Sequence, residues 1–263
     1  MRILVSNDDG VYAPGISALV KELSKSHEVV VSAPETEQSG VSHCLTFLEP
    51  VVARRIDDMY GCECYAVRGT PADCVKLAVC NLLSFKPDFV ISGINNGSNL
   101  GSDVHYSGTA AAAMEGVMNF IPSIAVSLCV RSYDHSPDKH YETAAKYALW
   151  AVDFIAKNPL PPFTMFNVNV PDETMENIKG IRAASLAIKH YAKNYSEYTS
   201  PRGKNYYFLP KNILDRGEWA AESDEVMSDM GYVTVTPVKC DSTDYALLEK
   251  YRSGFSGGGD GKQ

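Results

Sequence analysis

The sequence predicts an α/β fold: a Rossmann-like, doubly wound and mostly parallel sheet with C-terminal hairpin extensions. Three observations carry this prediction. Short apolar runs of strand length recur through the first two-thirds of the 263 residues. Between them lie stretches whose apolar residues fall at helical spacing. Strands alternating with helices require a parallel sheet covered on both faces, and the right-handed crossover rule then selects double winding. Ligands of such sheets bind beyond the carboxyl ends of the strands, so the loops at that edge are where chemistry is expected.

The elements follow in order. Ile3-Leu4-Val5 is the first strand, and Ile16, Leu19, Val20 and Leu23 mark a helix behind Pro14. Val29-Val30-Val31 is the second strand. Thr70-Pro71-Ala72-Asp73 reads as an N-cap, a first-turn proline and an acidic first turn, opening a helix through Leu82. Phe89-Val90-Ile91 and Ile124-Ala125-Val126 are the third and fourth strands, with an alanine-rich helix from Thr109 to Val117 between them. Tyr141, Ala144, Ala145, Ala148, Val152 and Ile155 mark a further helix, and Met165-Phe166-Asn167-Val168 the strand after it. Residues 1–185 are thereby assigned to a Rossmann-like core.

The period is lost beyond that point. Tyr191, Tyr195, Tyr198, Tyr206 and Tyr207 stand among Lys, Asn, Ser and Gly. Tyrosine offers apolar area with a polar tip, so this stretch predicts hairpin-like arms that pack on the core or on another subunit. Tyr232-Val233-Thr234-Val235-Thr236 is a late strand returning to the core, and Ala246 to Tyr251 a short helix. Ser253 to Gln263, with Gly257-Gly258-Gly259, reads as a frayed tail. Residues 186–263 are thus a C-terminal extension carrying oligomerisation arms.

The charge balance narrows the function. With 24 Lys+Arg against 32 Asp+Glu the formal charge is −8, which argues against a coat on nucleic acid, since counterion release needs a basic surface. A small anionic substrate remains open, because a metal ion or backbone N–H groups hold such a group locally. The strand-like Met1-Arg2-Ile3-Leu4-Val5 reaches polar Asn7-Asp8-Asp9 at once, leaving no room for the apolar core of a signal peptide. The apolar stretch Ile121 to Val130 is broken by Pro122, Ser123 and Ser127 and falls short of the roughly 20 residues that span a bilayer. The expectation is a cytoplasmic protein with no membrane segment. The seven cysteines are odd in number and contain no CxxC. Cys62 and Cys64 follow Gly61 in an expected loop, where a metal or redox pair is conceivable, but buried or idle thiols are the plainer expectation.

Chemistry concentrates at the loop edge. Ser6-Asn7-Asp8-Asp9-Gly10 follows the first strand. Adjacent strand residues point to opposite faces, so Asp8 and Asp9 address one ligand only from a turn, for which Gly10 supplies the backbone freedom. Two carboxylates there make a hard oxygen site suited to Mg²⁺ or Mn²⁺, while the same residues also make a plain Asn-Asp-Gly turn. Gln38-Ser39-Gly40 and Ser92-Gly93-Ile94-Asn95-Asn96-Gly97-Ser98-Asn99 follow the second and third strands at the same edge. Ser39 and Asn95 there are either turn residues or further oxygen ligands. Tyr106-Ser107-Gly108-Thr109 opens the alanine-rich helix, whose N-terminus is an anion site, although Ser107 or Thr109 also serves as an ordinary N-cap. Neither GxGxxG nor GxxxxGK[ST] occurs, which weakens dinucleotide and P-loop readings.

These four motifs in this order, with Glu115-Gly116 downstream, closely resemble the survival protein SurE family. The resemblance runs from Met1 to at least Val170 and resumes at Gly231-Tyr232-Val233-Thr234-Val235-Thr236-Pro237. It implies a SurE-like fold and a metal-dependent 5′-nucleotidase, releasing phosphate from nucleoside monophosphates. It also implies one divalent ion per subunit on Asp8, Asp9, Ser39 and Asn95, with Asn96 and Ser107-Gly108-Thr109 near the phosphate, in a homodimer or homotetramer. One departure stands out: Ser223-Asp224 occupies a place where the family commonly has Thr-Asp, in a loop expected near the site.

The expected mechanism has the metal polarise a phosphoryl oxygen and acidify the attacking water. Gly108 and Thr109 N–H groups and the Asn96 side chain stabilise the equatorial oxygens, and Asp8 or Asp9 accepts the water's proton. Two rivals are weighed against it. A phosphatase with Asp8 as covalent nucleophile prefers Asp-x-Asp rather than the adjacent pair found here. A receiver-like signalling module wants an aspartate after the third strand, where this chain has Ser92, Gly93 and Asn95, and it needs about half the length.

Overall fold

The computed structural model describes residues 1–130, 139–191, 195–209, 213–215 and 219–255. Among them a nine-stranded sheet is built from β1 (Arg2–Ser6), β2 (Glu28–Pro34), β3 (Val52–Ile56), β4 (Glu63–Arg68), β5 (Phe89–Asn96), β6 (Ser123–Cys129), β7 (Thr164–Pro171), β8 (Ile181–Ala183) and β13 (Val233–Lys239). The strand order is β3-β4-β2-β1-β5-β6-β7-β13-β8. From β4 to β7 every neighbour is parallel, while β3 and β13 pair antiparallel with β4 and β7. The winding reverses between β1 and β5, so the carboxyl ends of these two strands flank the crevice where doubly wound sheets bind ligands.

Helices cover both faces. On one, α1 (Pro14–Leu23) packs against α4 (Tyr141–Lys157); on the other, α2 (Pro71–Leu77) packs against α3 (Gly108–Met118). The strand period sorts the core. Ile3, Val5 and Ile91 join Ile16 and Leu19 of α1, whereas Leu4 and Val90 join Val75 of α2 and Ala112 of α3. Each fully buried Leu, Ile or Val of this kind stabilises the fold by about 1.5–3 kcal/mol.

Local chemistry sets the helix starts. Thr70 is the expected N-cap, and Asp73 makes the cap reciprocal, with Asp73 N–H on Thr70 Oγ1 (3.1 Å) and Thr70 N–H on Asp73 Oδ2 (2.9 Å). After Leu77 the helix widens into π-type turns, Ala78–Leu82. Ser107 caps α3, its Oγ accepting from the Ala110 N–H at 3.0 Å.

Several expectations are corrected. The segment at 61–64 is not wholly loop: Cys64 lies buried in β4, and burial pushes its thiol up to about 12. All seven cysteines are free, and no group of three or more His, Cys, Asp or Glu side chains among the described residues is placed to hold a metal. The third strand does not stop at Ile91 but runs to Asn96, through a register shift between Ser92 and Asn95 against β6. A bulge of this kind re-aims side chains beside a site.

In the extension, β9 (His190–Tyr191) pairs with β12 (Ile213–Asp215), and β10 (Ser196–Thr199) pairs with β11 (Asn205–Phe208) in an exposed hairpin. α5 (Asp224–Asp229) leads into β13, and α6 (Tyr245–Phe255) covers the start of the expected frayed tail. Gly257-Gly258-Gly259 lies outside the described residues. No described helix is long and apolar enough to cross a membrane.

Candidate active site

The turn leaving β1 holds itself together. Asn7 Nδ2 donates to the Gly10 carbonyl (2.8 Å), and Gly10 takes a φ of +100°, where a side chain is disfavoured. Asp8, only 4% exposed, lies beneath the first turn of α3. Its Oδ1 accepts from the Thr109 hydroxyl (2.5 Å) and its Oδ2 from the Thr109 N–H (3.0 Å). Asp9 is half-buried, and its Oδ2 accepts from the Asn96 N–H at 2.9 Å. One carboxylate is therefore fixed by α3 and the other by the end of β5.

The electrostatics of the pair favour a cation beside it. Burial pushes the Asp8 carboxyl above the ordinary range despite the two Thr109 hydrogen bonds. Burial first, and the neighbouring Asp8 charge second, push Asp9 up to about 6. Glu37 adds repulsion on both. A divalent cation between such carboxylates offsets both burial and repulsion.

The neutral donors suit that cation. Asn95 Nδ2 donates to the Gly97 carbonyl (2.8 Å), which leaves Asn95 Oδ1 as an acceptor with no donor among the described residues. Ser39 Oγ donates to Glu37 Oε1 (2.6 Å) and keeps its lone pairs. The Ser39 loop is tied to the site by the Gln38 N–H on the Asp8 carbonyl (2.7 Å) and the Ser42 N–H on the Tyr106 carbonyl (3.1 Å). Two carboxylates and neutral oxygens match Mg²⁺ or Mn²⁺. Asp9 and Asn96 are joined at the β1/β5 crevice, and Asp8 and Asn95 adjoin them in the chain, in the turn after β1 and in β5. Ser39 is exposed on its loop.

At the head of α3 two residues bear directly on Asp8. Thr109, expected near phosphate, directs both its donors at Asp8 and so positions that carboxylate. Gly108 allows the close approach: a Cβ there would lie 2.8 Å from Asp8 Cβ and 3.0 Å from Asp8 Oδ2. The Gly108 N–H has no acceptor among the described residues and remains available to an anion at a helix N-terminus. A cavity of about 220 Å³, lined in part by Ser42, His43, His105, Ser107, Met114 and Met118, opens beside the same turn.

Residues the sequence reading missed support this edge. Glu37 acts on both aspartates, and Lys139 Nζ lies 2.5 Å from Asn96 Oδ1. The Asp103 carbonyl receives the Tyr106 and Ser107 N–H groups (2.9 and 3.1 Å). Its carboxylate binds Lys189 Nζ (2.7 Å) and the Tyr191 hydroxyl, and Lys189 also pairs with Glu225. Asp224 accepts from the Gly101 N–H (2.7 Å) and the Ala187 N–H (3.0 Å). The Ser223-Asp224 loop, expected near the site, thus braces the turn before Ser107 from behind.

Fold and site together define a doubly wound α/β protein with an acidic, oxygen-rich crevice at the topological switch point, facing a helix N-terminus. Within that class the chain belongs to the SurE family, described as survival protein SurE, whose model matches residues 3–193. It is 45% identical over 252 residues to the 5′-nucleotidase SurE of Aeromonas hydrophila, covering 94% of this chain and 96% of that one. It is 42% identical over 250 residues to the 5′-nucleotidase SurE of Thermosipho melanesiensis, covering 95% and 96%. The crystal structure of the SurE protein from Aquifex aeolicus superposes with a TM-score of 0.82 at 38% identity, over 96% of this chain and 99% of that one.

Proposed function

We propose that the protein is a metal-dependent 5′-nucleotidase that hydrolyses nucleoside 5′-monophosphates to nucleoside and phosphate. The observation that carries this reading is the Asp8–Asp9 pair, held by Thr109 and Asn96 beneath the first turn of α3, whose Gly108 N–H has no acceptor among the described residues. The names of relatives that align over nearly the full chain support it. Asp8, Asp9, Asn95 and Ser39 would hold one Mg²⁺ or Mn²⁺ per subunit, which when bound supplies a Lewis acid to the phosphoryl group and acidifies a water.

The chain's own residues do the rest. Thr109 orients Asp8 and its two hydrogen bonds favour the charged carboxylate against burial, and the Asn96 N–H does the same for Asp9. The Gly108 N–H and the dipole of α3 stabilise charge on the phosphoryl oxygens. Hydrolysis breaks the P–O ester bond, delivers the water oxygen to phosphorus and passes a proton to the departing 5′-oxygen. The cavity beside Ser107 gives the nucleoside room. A covalent aspartyl route is disfavoured because both Asp8 oxygens already accept hydrogen bonds from Thr109.

Phosphate release from a panel of nucleoside monophosphates tests the reading. Turnover is expected to vanish on exhaustive chelation and to return with Mg²⁺ or Mn²⁺; full turnover in chelator would overturn the coordination set. The arms supply a second expectation. The β10–β11 hairpin exposes Tyr198, Tyr206, Tyr207 and Phe208, an apolar surface that a homodimer or homotetramer would cover. Light scattering at micromolar concentration is expected to give an oligomer, and a monomer would remove that role.

A further inference from the structure

The acidic crevice carries one cation that the ligand set above does not use. Lys139 Nζ bonds Asn96 Oδ1 at 2.5 Å, and the Asn96 N–H is the donor that fixes Asp9. The lysine reaches this place from an anchored backbone. The next residue, His140, donates its N–H to Asp172 Oδ1 (2.8 Å) and sets its ring Nδ1 3.0 Å from the same oxygen, just before α4 begins.

Two features give this exposed contact a role. An ammonium group has three donors, and a neutral amide oxygen occupies one of them. Charge balance supplies the other. Asp8, Asp9 and Glu37 place three carboxylates around the crevice, so a divalent ion alone leaves it negative toward an arriving phosphate dianion. Lys139 corrects that imbalance at the mouth of the crevice, and lysine is a common phosphate binder that acts as a point charge.

We infer that Lys139 is a phosphate-binding cation of this site, contacting the phosphoryl oxygens of the substrate beside Asn96. The inference rests on the phosphohydrolase reading, and inorganic phosphate as a probe separates the two. A purely structural role, orienting Asn96 by hydrogen bonding, makes a different prediction, because glutamine keeps a donor without charge.

The experiment uses the full chain loaded with Mn²⁺ and compares Lys139→Gln, Lys139→Met and Lys139→Arg with the parent. Inorganic phosphate binding is read by calorimetry and as a competitive inhibition constant, and Mn²⁺ affinity by electron paramagnetic resonance. Gln and Met are expected to weaken phosphate binding about tenfold or more, the size of a lost charge-assisted hydrogen bond, and to raise KM in step. Arg is expected to restore most of it. Mn²⁺ affinity is expected to hold or tighten, since a like charge has been removed. The inference is overturned if Lys139→Gln binds phosphate as the parent does, or if phosphate and Mn²⁺ affinity fall together. It also falls if the Mn²⁺-loaded parent binds no phosphate. A parent that binds phosphate through Lys139 yet hydrolyses no nucleoside monophosphate would overturn the nucleotidase reading and leave this anion site standing.

Discussion

Asp8→Asn and Asp9→Asn are each expected to lower phosphate release by about a hundredfold or more without unfolding the protein. Removing a partner that merely orients a ligand costs metal affinity about 10–100-fold, and these substitutions alter the ligand itself. The stability expectation has the opposite sign. Both carboxyls are pushed up by burial, so their charge is unfavourable in the metal-free fold, and an uncharged amide relieves it. The chelated variants are therefore expected to melt no lower than the chelated parent. The rise in Tm that Mn²⁺ gives the parent is expected to disappear in both. Turnover, calorimetric Mn²⁺ titration and melting with and without chelator check this together. A chelated variant that melts well below the parent, yet turns over normally per folded molecule, would reduce the pair to a structural turn.

Gly108→Ala is expected to cost metal affinity and turnover together, by about 10–100-fold, and Gly108→Val more. The backbone at Gly108 lies outside the positive-φ region, and alanine in a helix is ordinarily favoured over glycine by about 0.5–1 kcal/mol. If helix formation alone mattered, the alanine variant would be neutral or stabilised. The obstacle is Asp8, whose Cβ would lie 2.8 Å from the new methyl, with Pro71 Cγ at 3.0 Å on the other side. Asp8 must then shift away from Thr109. A glycine needed only for phosphate approach would leave metal binding intact when substituted, as the motif by itself suggests. Contact with Asp8 predicts that Mn²⁺ affinity falls with phosphate affinity. Calorimetry on Gly108→Ala decides it: parental Mn²⁺ affinity with loss of phosphate binding alone would return this glycine to the anion.

The extent of sequence legibility follows from the range of each interaction. The buried parallel strands announce themselves as apolar runs because both their faces are covered. The edge strand β3 and its neighbour β4 do not. Val-Ala-Arg-Arg-Ile in β3 keeps one face in water, and Glu-Cys-Tyr-Ala-Val-Arg in β4 alternates only weakly, so neither stands out. The Thr70–Asp73 cap was legible because it closes within three residues.

The site divides along the same line. The sequence by itself determined the doubly wound sheet and the loop edge that carries Asp8, Asp9, Ser39, Asn95 and the Ser107–Thr109 turn. Apolar period and turn chemistry are local properties, and the topology of parallel sheets follows from them. Only the tertiary structure decided that Thr109 grips Asp8 across 101 residues, that Lys139 meets Asn96 across 43, and that Lys189 braces Asp103 across 86. The physical reason is that a donor and an acceptor so far apart in the chain meet only after the core has packed. Until then nothing in either one's neighbours marks which partner it will find.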